Sequence, residues 1–182
     1  MPTSKSIEKA LSLIKGDDAS SVLGLRVGTH TDVQPGQYIP RADAQSPPEL
    51  FVRGLSQNTT YMVVSVDVDA PFPSFGVLGP ILHWIQPGLQ PAPSESGTDA
   101  YALKITAPCV ANYIGPAPPP GSSPHRYIFM LYEQPGGFDG AKYAPPGGKE
   151  LGTMSRLRYD LDSWGEQVKL GPPVAANYFT SN

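Results

Sequence analysis

Six residues in a row, Tyr61-Met62-Val63-Val64-Ser65-Val66, are rich in β-branched side chains and apolar on both alternating faces. A run of this kind cannot leave either face in water, so it predicts a central strand of a sheet covered on both sides. Three further short runs of strand composition, Ile81 to Ile85, Tyr101 to Thr106 and Tyr127 to Glu133, are each bounded by Pro or Gly. Ser21 to Val27 and Leu50-Phe51-Val52 read as strands of a sheet edge. The 22 Pro and 19 Gly sit between apolar runs as punctuation, which predicts a loop-rich, mainly β core. At 182 residues, 40% of them hydrophobic, the chain suits one domain over 1–182 with a substantial core.

Two helices are legible. Ile7, Ala10, Leu11 and Ile14 form an i, i+3, i+4, i+7 apolar stripe that ends at Gly16. A short second helix is expected after Asp160 as N-cap, with Leu161, Trp164 and Val168 on one face and Gly171-Pro172 as terminator. Pro116-Ala117-Pro118-Pro119-Pro120-Gly121 reads as a stiff loop. No internal repeat is found.

The net charge of −3 comes without any Lys/Arg run, so nucleic acid is not an expected partner. No stretch approaches the roughly 18 apolar residues of a membrane span, and residues 1–8 lack an apolar leader core. A cytoplasmic protein that is not membrane-embedded is therefore expected. Cys109 is the only cysteine, so no internal disulfide forms; flanked by Pro108 and Val110, it reads as a buried, inert thiol.

The chemistry concentrates in three places. Asp67 and Asp69 follow the central strand, His83 lies inside Leu82-His83-Trp84-Ile85, and His125 and Tyr127 open a later strand. With a side-chain period of two, Asp67 and Asp69 would share a face if the strand continued through them, as would His125 and Tyr127. Buried together, these groups must satisfy each other or a ligand. Such a pocket suits an anion or a proton transfer. For each residue a plainer reading stands beside this one: Asp69 as a turn former before Ala70-Pro71, His83 satisfied by a backbone carbonyl, His125 as a loop cap, and Tyr127 with its hydroxyl in water. No His-x-x-x-His pair points to a metal and no metal or other cofactor is expected. A Gly-x-Ser-x-Gly elbow is missing, and Gly147-Gly148-Lys149 lacks the spacing of a phosphate loop.

At these residues the sequence resembles the phosphatidylethanolamine-binding protein family, also known as Raf kinase inhibitor proteins, whose fungal members include carboxypeptidase Y inhibitors. The marks are Asp67-Val68-Asp69-Ala70-Pro71, His83-Trp84, Tyr113-Ile114-Gly115-Pro116 and His125-Arg126-Tyr127 with Leu131-Tyr132-Glu133-Gln134. Pro173 to Phe179 is similar to the family's closing strand. The resemblance implies a large antiparallel sheet flanked by a smaller sheet and short helices, with a small anion-binding pocket at one end. Carried over by motif, the pocket residues are Asp67, Asp69, Pro71, His83, the loop from Gly115 to Ala117, His125 and Tyr127. Their implied occupant is a small molecule with a phosphate-like or phospholipid-like head group, and the implied protein partner is a protease or a kinase.

The sequence departs from the family at Val68, where proline is usual, and at Ala117, where a second glycine is usual. The segment Phe72 to Gly79 is uncharged where the family is basic, which points to an apolar rim and a small organic ligand. The chain also stops at Asn182, so the helix that closes the animal proteins' pocket is expected to be absent and binding more open. The binding reading stands first. An acid–base enzyme of secondary metabolism is the alternative, an epimerase, an isomerase or a catalyst of assisted condensation, with His83 or Asp67 as base and Tyr127 or His125 as acid. Inhibition of a serine carboxypeptidase is the third.

Overall fold

The computed structural model describes residues 4–16, 18–93 and 100–182. Helix α1 spans Lys5–Lys15; the Ser4 hydroxyl accepts the Ile7 N–H at its start, and the Gly16 N–H bonds the Leu13 carbonyl at its end. Seven strands follow, β1 (Gly24–Arg26), β2 (Glu49–Val52), β3 (Tyr61–Asp67), β4 (Ile81–Pro93), β5 (Tyr101–Ile105), β6 (His125–Glu133) and β7 (Ala175–Ser181), with α2 (Leu161–Val168) before the last. They form one antiparallel sheet in the order β1-β2-β5-β4-β3-β6-β7. The expected large antiparallel sheet with few helices is what the chain forms. The smaller flanking unit, β1 and β2, is joined to it through the β2–β5 pairing.

β3 is buried along its whole length, because the sheet is covered on both faces. Tyr61 and Val63 pack with Phe129, Leu131, Phe179 and the 23–44 region on one side. Met62, Val64 and Val66 pack with Ile128 and Met130 under α1 and α2 on the other. Each fully buried aliphatic side chain contributes about 1.5–3 kcal/mol, so these two layers dominate the stability. Asp162 ties the helices together by accepting from Ser4 Oγ, the Lys5 N–H and the Ser6 N–H at 2.9, 2.7 and 3.1 Å.

Two elements differ from the sequence expectation. β4 runs on to Pro93 although Pro87, Gly88, Pro91 and Pro93 look like breakers. A register shift between Tyr61 and Val63 absorbs Pro87 and Gly88, and beyond Leu89 the strand pairs with β5 alone, where proline leaves no ladder donor missing on the open side. α2 stops at Val168, two residues before Leu170, because Lys169 takes the left-handed conformation (φ 58°) and its N–H closes the last turn. Cys109 is also half-buried rather than buried: Val110 turns into the core beside β4, and alternation turns its neighbour outward.

Candidate functional site

The site sits where β3 and β6 end together. Asp67 lies directly opposite Tyr127, and His125 stands two residues before Tyr127, so all three share the face that carries Tyr61, Phe129 and Phe179. Regular alternation would send His83 to the other face from Trp84. It does not, because β4 carries an extra residue: Ser65 pairs with Trp84 and Val66 with Leu82, leaving His83 unpaired in a bulge. The bulge re-aims the imidazole, whose ring meets Tyr127 edge-on at 5.0 Å and 79°. Asp67, His83, His125 and Tyr127 are all at most 5% exposed.

The hydrogen bonds assign roles. Asp67 accepts from the Asp69 N–H on Oδ1 and from His125 Nδ1 on Oδ2, both at 2.8 Å. His125 Nε2 lies 2.9 Å from Ser122 Oγ, which donates to the Ser123 carbonyl. Both ring nitrogens of His125 are therefore engaged. His83 donates Nδ1–H to the Ile114 carbonyl at 2.7 Å. Burial pulls its pKa below the ordinary imidazole value, against the opposing pull of the Ile114 bond and Asp67. The ring is then neutral near pH 7, and its Nε2 is an acceptor with no partner among the described residues. The Tyr127 hydroxyl is buried, with the Ala117 backbone beside it but no hydrogen-bond partner of good geometry among the described residues. Burial first, then Asp67, push its pKa far up, so it serves as a neutral donor.

Asp69 does not join this cluster. β3 ends at Asp67, and the Asp69 carboxylate turns to Arg126, accepting its backbone N–H at 2.8 Å, Nε at 2.9 Å and Nη2 at 2.7 Å. Burial works to raise the Asp69 pKa, but the Arg126 bonds and charge outweigh it and hold the group below the ordinary carboxylate value. A carboxylate with a depressed folded-state pKa stabilises above its unfolded pKa and loses that contribution as pH falls through the folded one. Asp69→Asn is expected to cost about 1–2 kcal/mol at pH 7, discounted for the half-exposed guanidinium. Urea titrations of variant and wild type should converge as the pH drops below the ordinary carboxylate range; parallel curves would refute the assignment.

Among the loop residues, Pro71 is half-buried and Ala117 is exposed beside the Tyr127 hydroxyl. Gly115 packs closely: a Cβ there would lie 2.9 Å from the Ala44 carbonyl and 2.7 Å from Gln45 Oε1. Its role is close packing against the 41–45 turn, which Gln45 stitches to the Pro116 carbonyl. Three contributors were not singled out from sequence. Ser122 is one, and alternation from His125 in a Gly-Ser-Ser-Pro loop gives it no signal. Ser181, opposite His125, has a fully buried hydroxyl without a partner, and continuing β7 two residues past Phe179 would have found it. Arg156 is 1% exposed and backs the bulge, donating to the carbonyls of Leu82, His83, Asn112 and Leu151 and to Asn112 Oδ1. Among the described residues no group of three or more His, Cys, Asp or Glu is placed to hold a metal ion.

Residues 29–179 match the family model described as phosphatidylethanolamine-binding protein. The chain is 30% identical to phomoidride biosynthesis cluster protein N of Talaromyces stipitatus, over 86% of this chain and 82% of that one. It is 25% identical to the carboxypeptidase Y inhibitor of Saccharomyces cerevisiae, over 88% and 83%. Among solved structures, a carboxypeptidase Y inhibitor complexed with its cognate proteinase superposes with a TM-score of 0.69 at 23% identity, covering 97% of this chain and 94% of that one.

Proposed function

Since the chain belongs to the phosphatidylethanolamine-binding protein family, with the fungal carboxypeptidase Y inhibitor among its relatives, we propose that it is a binding module for a polar-headed small molecule held at Asp67, His83, His125 and Tyr127. The observation that carries this reading is the Tyr127 hydroxyl: a phenol 2% exposed, without a hydrogen-bond partner, edge-on to an imidazole whose Nε2 is open. Leaving such a group unsatisfied costs about 1–3 kcal/mol, which an occupant's polar head would recover. The head group is one that accepts from Tyr127 and donates to His83, as a hydroxyl or a protonated phosphate does. Phe72 and Phe75 are exposed on the loop that leaves Pro71, and an apolar tail on the ligand would find apolar surface there.

The test separates bound from free compounds after incubating an organic extract of fungal cells with wild type, Tyr127→Phe and His83→Ala, with mass spectrometry of both fractions. An unchanged compound should be retained by wild type and about tenfold less by Tyr127→Phe, while the fold of Tyr127→Phe stays intact because its hydroxyl bonds nothing. Equal retention by all three would remove the site from consideration. Conversion of a compound by wild type alone would instead make the neutral His83 a general base and the protein an acid–base enzyme.

A second reading, control of a protein partner, is favoured by the proteinase complex of the carboxypeptidase Y inhibitor, a relative over most of the chain. Inhibition of a serine carboxypeptidase that survives Tyr127→Phe would place that contact outside the pocket.

A further inference from the structure

On the opposite face of the sheet end lies a cleft of about 530 Å3 between α1, the start of α2 and the 68–80 loop. Its position follows from alternation. Asp67 and Tyr127 point to the site described above, while Val68 and Arg126, bonded to each other through the backbone, point the other way and line this cleft. The volume lies in the range of small-molecule sites. Ile7, Leu11, Val68 and Leu161 give it apolar walls, and Arg126 and Arg158 supply charge.

The charged groups of the cleft are not equally engaged. The Asp160 carboxylate accepts from the Ser163 N–H and Oγ, and Asp162 accepts from Ser4 Oγ and two backbone N–H groups of α1. Asp69, behind the cleft, holds Arg126 through Nε and Nη2. The carboxylates are therefore already coordinated by donors of the protein itself. The charged donors that remain without a partner among the described residues are Nη1 of Arg126 and both Nη of Arg158. Arg158 is fixed for the purpose: its N–H bonds the Leu78 carbonyl, its Nε bonds the Val77 carbonyl, and its backbone takes φ 50°, a conformation L-residues adopt only when their surroundings impose it. Apolar walls with unengaged guanidinium donors, beside carboxylates that the protein's own donors already hold, suit an apolar body carrying one anionic head.

We propose that this cleft binds amphipathic monocarboxylates, with the carboxylate on Arg158 and Arg126 and the chain along Ile7, Leu11 and Leu161. The site is separate from the Asp67 pocket and does not depend on it. Calorimetric titration of the full chain with decanoate, below its micelle concentration, tests it against decan-1-ol and acetate. Wild type should bind decanoate, bind decan-1-ol more weakly and show no acetate binding. Arg158→Gln, a change at an exposed side chain, should weaken decanoate about tenfold, the value of one charge-assisted contact, and leave decan-1-ol unchanged. Leu11→Trp, which fills the cleft, should abolish both, and Tyr127→Phe should alter neither. Undetectable decanoate binding by folded wild type, equal affinity in Arg158→Gln, or loss of binding in Tyr127→Phe would each overturn the proposal, the last by moving the ligand to the other face.

Discussion

Arg156→Met is expected to lower the stability of the protein by about 3–5 kcal/mol, an effect in the far tail for single substitutions. The guanidinium is enclosed and, among the described residues, has no carboxylate partner in contact; its acceptors are four backbone carbonyls and Asn112 Oδ1, at 2.6–3.5 Å. Removing the fork strands several of these acceptors in the interior at about 1–3 kcal/mol each, which the added apolar contact of methionine offsets only in part. Arg156→Lys should recover little, because a single ammonium cannot span Leu151, Leu82 and Asn112 from one position. Urea denaturation followed by far-ultraviolet circular dichroism reads the loss. A shift below 1 kcal/mol would mean that water replaces the arginine and that the bulge stands without it.

His125→Ala should cost a similar amount, about 3–5 kcal/mol, for a different reason. Asp67 is 4% exposed, and its Oδ2 has His125 Nδ1 as its donor; deleting the ring leaves a carboxylate in the interior with one donor gone. The double variant Asp67→Ala/His125→Ala removes both members of the pair and should lose less than the two single variants summed, by about 0.5–3 kcal/mol. Strict additivity in the cycle would show that the pair contributes no coupling. Ligand retention should fall in each of these variants, unlike in Asp69→Asn, whose carboxylate serves Arg126 on the other face.

Much of the architecture was legible because it rests on local chemistry. Tyr61 to Val66 announced a strand covered on both sides, and Ser4 and Asp160 cap their helices with side-chain oxygens, Asp160 as its position predicts. What alternation could not supply were the places where the backbone departs from it. Treating Asp69 as a continuation of β3 placed both carboxylates on one face, whereas the strand ends one residue after Val66, and two residues later the chain has turned toward Arg126. The reading of His83 as a ring satisfied by a carbonyl was right about Nδ1, yet its place beside Tyr127 depends on an unpaired residue that no spacing rule reveals. Arg156 gave no signal at all, since a lone arginine between Ser155 and Leu157 reads as surface.

The extra residue in β4 has a consequence for how this site can change over time. Leu82, Trp84, Ile85 and Leu89 of the strand each belong to one packing layer or the other, so altering any of them leaves a void or a clash. Position 83 has no partner on β3; its ring is held by Tyr127 and the Ile114 carbonyl instead. An exchange there changes what stands beside Tyr127 and removes no rung of the β3–β4 ladder. The bulge thus sets an imidazole beside Tyr127 at a position of β4 on which the β3–β4 ladder does not depend.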